Sequence, residues 1–259
     1  AGIELADSLP SALKVDIGKG KTGAAGNDVQ AGFQPFSMEN TVGGDPFVDG
    51  DVSLGAPVVN NSWGCPRMEG CFPESLREAV EALRAAGVMM VVSAGNDGPA
   101  CSTATTPPAN YDASFTVGAT TDGGSVVGFS SRGPADGLIK PDIAAPGQQV
   151  RSSVPGGGYG TAGGTSMAAP HVAGSVALIW SADPSLVGQV GATEELLCRV
   201  AASKPVTTSC DLVPVPTGPL AGTGTPAACA CGGVSGAPNN VYGCGFLDAG
   251  AAVEAVLEE

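Results

Sequence analysis

Short continuous apolar runs along this chain alternate with stretches whose apolar positions recur every three or four residues. The elements they predict come in the order strand, helix, strand. Residues 12–18 (ALKVDIG) read as a short strand, 42–56 as a loop rich in Gly and Asp, and 57–63 (PVVNNSW) as a second strand. A helix is predicted from Pro73 to Ala86. Pro73 suits the first helical position, Gly87 suits the stop, and Leu76, Ala79, Val80 and Leu83 share one face at i, i+3, i+4, i+7. The run 88–94 (VMMVVSA) is apolar without alternation, as a strand covered on both faces would be. Residues 115–119 predict another strand.

Residues 165–182 are apolar almost all round, which predicts a helix buried in the core. Amphipathic helices are predicted over 193–202 and 248–258. Between them, 204–245 is rich in Gly, Pro and Cys and reads as a loop and hairpin held by disulfides. Strand, helix, strand in succession implies right-handed crossovers in a parallel sheet, hence an α/β fold. No internal repeat or linker divides the chain.

Composition narrows the function classes. The 259 residues carry 43% hydrophobic and 14% charged side chains, a globular balance. The formal net charge of −14 argues against nucleic acid and anionic membranes as partners. No apolar run approaches the ~18–20 residues that span a bilayer. The even count of 8 cysteines points to disulfides and an oxidising, extracellular setting. Zinc is the rival reading for Cys229, Cys231 and Cys244, but C-x-C is not the usual knuckle spacing.

The segment with most chemical content is Gly164-Thr-Ser-Met-Ala-Ala-Pro-His-Val-Ala-Gly174. A turn of small residues leads into an apolar helix with Ser166 at its start. There a hydroxyl meets unpaired N–H groups and the positive end of the helix dipole, which would stabilise developing negative charge. Read by itself, the same pattern also fits Thr165 or Ser166 acting as a plain helix cap.

This segment resembles the nucleophile motif of the subtilisin-like serine proteases, and the resemblance extends along most of the chain. Val58–Gly64 (VVNNSWG) is similar to that family's substrate-binding strand and Ser93–Gly98 (SAGNDG) to its oxyanion-hole motif. Phe129–Pro134 (FSSRGP) and Lys140–Gly147 (KPDIAAPG) are similar to the segments leading to the nucleophile, and Gly243–Ala249 to the closing turn. Residues 110–120 and 151–156 together are most similar to the bacillopeptidase F branch. The resemblance implies a three-layer fold around a parallel sheet. It implies Ser166 as nucleophile and Asn96 as side-chain donor to the oxyanion beside the Ser166 N–H. Ser62, Trp63 and Gly64 would pair with an extended polypeptide substrate, and Ser93, Ala94 and Gly95 would line the pocket for the side chain before the scissile bond. Alternatively, Trp63 is simply a core residue.

The family's Asp-Thr/Ser-Gly and His-Gly-Thr-His motifs do not occur in the chain. The single histidine, His171, follows Ser166 by five residues on the same predicted helix, roughly 140° round the axis and about 7.5 Å along it. It matches a non-catalytic position of the motif. Asp7-Ser8-Leu9 lacks the glycine and the preceding strand that the Asp turn requires. Residues 8–18 are similar to the strand that follows the family's catalytic His helix. The chain is therefore read as one domain, 1–259, incomplete at its N-terminus, lacking the Asp-bearing strand and the His helix. In the family that Asp strand lies between the strands corresponding to 12–18 and 57–63, so its absence is expected to expose edges unless the fold adapts. In subtilisin, loss of His alone costs roughly 10⁶ in turnover and leaves ~10³–10⁴ over water. The resemblance thus implies a secreted serine endopeptidase that is inactive or very weak as the isolated chain, works with an N-terminal segment supplying Asp and His, and needs no cofactor. A peptide-binding pseudoprotease and an esterase at the same serine are the alternatives. Asp45, Asp49 and Asp51 could gather round calcium, although a solvated turn fits their spacing better.

Overall fold

The computed structural model describes residues 15–16, 55–155, 157–204, 231 and 237–258. Its centre is a parallel sheet in the order β1 (Val15–Asp16), β2 (Val58–Asn61), β3 (Met89–Ser93), β4 (Phe115–Thr120), β5 (Ile143–Pro146). A separate antiparallel pair joins β6 (Val150–Ser153) to β7 (Tyr159–Ala162).

The unbroken apolar run of β3 has a simple cause. Both faces of the strand are covered, so neither set of alternating side chains meets water. Met89 and Val91 pack with Val117, Ile143 and helix α2 (Thr165–Ala182) on one face. Met90 and Val92 pack with Val80 and Leu83 of helix α1 (Arg77–Ala85) on the other. Helices α3 (Val190–Val200) and α4 (Ala249–Leu257) flank α2. Helix layers therefore enclose the sheet, as the pattern and the resemblance predict. Helix α2 is apolar all round because it lies across β2 to β5 and also against α4.

Several boundaries differ from expectation. Helix α1 begins at Arg77 rather than Pro73. The Ser75 hydroxyl accepts the Phe72 N–H at 2.8 Å, and the Ser75 N–H returns to the Phe72 carbonyl, so a local turn takes up groups that would have opened the helix. Val80 and Leu83 are buried as predicted and Leu76 is half-buried, but Ala79 is exposed. Strands β5, β6 and β7 were not legible. The four residues of β5 are small apart from Ile143 and end in Pro146, which is tolerated because β5 is the last strand of the sheet.

The gap expected between the strands at 12–18 and 57–63 is closed. β1 pairs directly with β2, Val15 opposite Val58 and Asp16 opposite Val59. Disulfides join Cys65 to Cys71, Cys101 to Cys231 and Cys198 to Cys244. This removes Cys231 and Cys244 as zinc thiolates. Cys210, Cys229, most of the 204–245 stretch and the acidic loop with Asp45, Asp49 and Asp51 lie outside the described residues. Among the described residues, no helix is long and apolar enough to cross a membrane.

Candidate active site

The site forms where β2, β3 and α2 meet. α2 opens after Gly164, whose φ of +153° is a conformation that side-chain-bearing residues rarely adopt. Thr165 and Ser166 are its first two residues, so their N–H groups have no partner within the helix. The buried Thr165 N–H donates to Asn96 Oδ1 at 2.9 Å, and its hydroxyl donates to the same oxygen at 3.2 Å. The Thr165 Oγ1 in turn accepts the Gly95 N–H at 3.2 Å. An N–H can only donate, so the accepting Asn96 atom must be the oxygen. That assignment leaves the Asn96 amide N–H groups free beside Gly164, at the start of α2.

Ser166 and Ser62 are linked reciprocally. The Ser166 hydroxyl donates to the Ser62 carbonyl at 3.2 Å, and the Ser62 hydroxyl donates to the Ser166 carbonyl at 3.0 Å. The helix start is thereby tied to the segment leaving β2. In that segment the Trp63 carbonyl already accepts from the Asn61 side chain at 2.9 Å. Gly64 is exposed, and its N–H and C=O have no partner among the described residues. Trp63 is half-buried, not a core residue. Ser93 and Ala94 are buried at the end of β3 and Gly95 is half-buried. A cavity of ≈ 380 Å³ next to this segment is lined by Pro66, Arg67, Cys71, Phe72, Pro73 and Thr105 to Pro107.

The structure thus brings together Ser166, Asn96, Ser62 and Gly95. It does not bring His171 to them. His171 is exposed on α2, and its ring N–H donates to the Met167 carbonyl one turn back at 2.8 Å. What sequence reasoning missed is the supporting set. Thr165 reads only as a cap, yet it orients Asn96. Ser131 in the FSSRGP segment holds the Asn96 loop from behind: its N–H donates to the Gly95 carbonyl at 3.0 Å, and its hydroxyl accepts the Asp97 N–H at 3.0 Å. The hydroxyl in each motif was visible, but its partner lies tens of residues away.

Electrostatically, the helix N-terminus supplies partial positive charge at Ser166, worth ~0.3–1 kcal/mol for a nearby anion. Just before β5, the fully buried Lys140 ammonium lies 2.6 Å from Asp142 and donates to the Ser114 carbonyl. Burial pushes the Asp142 carboxyl up from its usual range, against the pull of Lys140 and of the Thr116 N–H.

Comparison with known proteins agrees with this geometry. The model of the subtilase family (peptidase S8) matches residues 24–243. Bacillopeptidase F of Bacillus subtilis (strain 168) is 38% identical over 206 residues, covering 78% of this chain and 12% of that protein. Subtilisin of Bacillus pumilus is 38% identical over 135 residues, covering 52% of this chain and 46% of that protein. Among solved structures, the patellamide maturation protease PatA superposes with a TM-score of 0.57 at 27% identity, covering 79% of this chain and 64% of that one. The prenylagaramide maturation protease PagA gives 0.56 at 26%, with the same coverage. The chain spans less than half the length of both curated relatives. With the family model matching most of its residues and the segment 164–174 seated at the start of a buried helix, this chain belongs to the subtilase family.

Proposed function

We propose that this chain carries the acylation centre of a secreted, subtilisin-type serine endopeptidase. The supporting observation is the start of α2, where Ser166 lies beside an Asn96 carboxamide whose oxygen is held by Thr165. In the reaction, Ser166 Oγ bonds to the carbonyl carbon of an extended peptide. The carbonyl electron pair moves to oxygen, which is met by the Asn96 amide and the Ser166 N–H. Collapse of the tetrahedral adduct expels the amine and leaves an acyl-serine, which water then hydrolyses. The peptide pairs along Ser62 to Gly64, with Ser93 to Gly95 facing its side chain.

The hydroxyl proton needs a base. Here it rests on the Ser62 carbonyl, which accepts a hydrogen bond but not a proton. The only histidine is tied to Met167. In this reading an added Asp- and His-bearing segment supplies the base and its carboxylate partner, and the chain is inactive or very weak without one. The disulfides fit an oxidising, extracellular location.

Covalent labelling by a fluorophosphonate tests the proposal. The purified chain should label slowly. Adding a subtilisin-derived fragment that bears the Asp and His motifs should accelerate labelling, and Ser166→Ala should abolish it. No labelling under either condition would sink the acylation reading. The exposed His171 favours a second reading, in which the chain by itself binds extended peptides without cutting them. Saturable binding with the peptide intact after prolonged incubation would support it. Ester hydrolysis at Ser166 would share the same acyl chemistry.

A further inference from the structure

Arg132 sits in the FSSRGP turn with 0% of its surface exposed. Its guanidinium nitrogens Nε, Nη1 and Nη2 have no hydrogen-bond partner. Nor does it form an ion pair among the described residues, in contrast to the other buried cation, Lys140, which is matched by Asp142. The Arg132 backbone is pinned on both sides. Its N–H donates to Thr103 Oγ1 at 2.9 Å, and its carbonyl accepts from Thr103 and Ala104. The next residue, Gly133, donates to the carbonyls of Lys140 and Asn240.

An uncompensated buried ion is among the most costly groups a fold can contain. Losing the proton does not relieve it at neutral pH. Burial draws Arg132 down only to about 10, so the guanidinium stays charged. Other buried polar atoms without partners include the Ser114 hydroxyl, both ends of the Asn110 amide, and Oδ1 of Asn240, whose backbone carbonyl accepts from Gly133. Ser114 is linked to the Arg132 turn through Lys140, whose ammonium donates to the Ser114 carbonyl and whose own carbonyl accepts from Gly133. A permanent buried cation whose three nitrogens are all unpaired calls for an acceptor that carries negative charge.

We propose that Arg132 binds a small monovalent anion of chloride size in the core, as a structural ligand of the oxyanion loop. The link to the site is short. Ser131, the residue before Arg132, accepts from Asp97 and donates to Gly95, on either side of Asn96. Anion binding stiffens the Arg132 turn and, through Ser131, the loop that presents the Asn96 amide. The site is independent of the missing base, so it can be tested whether or not the chain hydrolyses peptides.

Thermal unfolding of the full chain, in sodium chloride against sodium gluconate at equal ionic strength, reads it directly. Chloride should raise the midpoint, and above the dissociation constant each tenfold rise in chloride should shift the folding equilibrium about tenfold. Arg132→Met should abolish the response while remaining at least as stable as the wild type in gluconate, because it removes the unmatched charge. Arg151→Met, altering an arginine stacked on Tyr159 in the β6–β7 pair, should keep the response. Hydrogen exchange at the Ser131 and Asp97 amides should slow in chloride. Chlorine NMR line broadening by the wild-type chain gives a second measurement that needs no variant. Equal midpoints in the two salts, or a wild type that causes no excess broadening, overturn the proposal. So does an Arg132→Met chain that is less stable than wild type in both salts, since that outcome means a carboxylate of the chain itself already neutralises the guanidinium.

Discussion

Replacing Thr165 by Val isolates the network that aims Asn96. The two side chains have nearly the same shape, so packing changes little, but the hydroxyl is lost from a fully buried position. That hydroxyl donates to Asn96 Oδ1 and accepts from the Gly95 N–H, both at 3.2 Å. The bonds are long, which puts each toward the lower end of its range. Losing the donated bond costs about 0.5–1 kcal/mol, and leaving the Gly95 N–H unpaired costs about 1–2 kcal/mol. The sum is roughly 2 kcal/mol, or a fall of about 4–8 °C in Tm for a chain of this size. Thr165→Ser keeps the hydroxyl and loses one methyl group, worth about 0.8 kcal/mol. Urea unfolding of the three proteins measures the difference, with Val expected below Ser by about 1 kcal/mol. The Thr165 N–H still holds Asn96 Oδ1 in the Val variant. Fluorophosphonate labelling with the complementing fragment should therefore fall less than in Asn96→Ala. If Thr165→Val proves as stable as Thr165→Ser, the hydroxyl is not part of a working network and the argument for an oriented Asn96 fails.

Other expectations follow from single contacts. Asn96→Ala, assayed with the complementing fragment, should lower turnover ~10²–10³-fold, as loss of the oxyanion asparagine does in subtilisin; an unchanged rate would remove Asn96 from the mechanism. Lys140→Met leaves Asp142 without its cation and should cost about 3–5 kcal/mol at neutral pH. The Asp142 carboxyl, already raised by burial, then holds its proton more tightly in the folded than in the unfolded chain. Such a group adds stability at low pH that is lost as pH rises through the folded value, so the deficit should be smaller at acid pH than at neutral pH. A deficit that does not change with pH would show that Asp142 is not the group left exposed to the loss. Gly243→Ala should prevent stable folding, because a Cβ there would lie 2.0 Å from the Asp142 carbonyl oxygen at a φ of +61°; a soluble variant with wild-type Tm would contradict the packing of that turn. Calcium titration should leave Tm unchanged if Asp45, Asp49 and Asp51 form a solvated turn, whereas a saturable rise would establish a cation site.

Much of the architecture was legible because it depends on local periodicity. The doubly covered β3 and the all-round apolar α2 declare themselves through composition, and α2 runs from Thr165 to Ala182 as the pattern predicts. Boundaries set by a competing side chain were not, as Ser75 shows at the start of α1. The small residues of β5 gave no strand signal, since burial comes to them from neighbouring elements rather than from their own size.

The sequence by itself determined the chemistry available: a serine at the mouth of an apolar helix, an asparagine in a glycine-rich turn, and one histidine on the wrong side of that helix. Those facts depend on residue identity and on helical spacing, which are local. Only the tertiary structure decided which way Asn96 faces, that the Ser166 hydroxyl rests on Ser62, and that Arg132 is buried without a partner. Each of these is a contact between residues far apart along the chain, or the lack of one. Hydrogen bonds and desolvation are properties of neighbours in space, and a one-dimensional pattern does not say who those neighbours are.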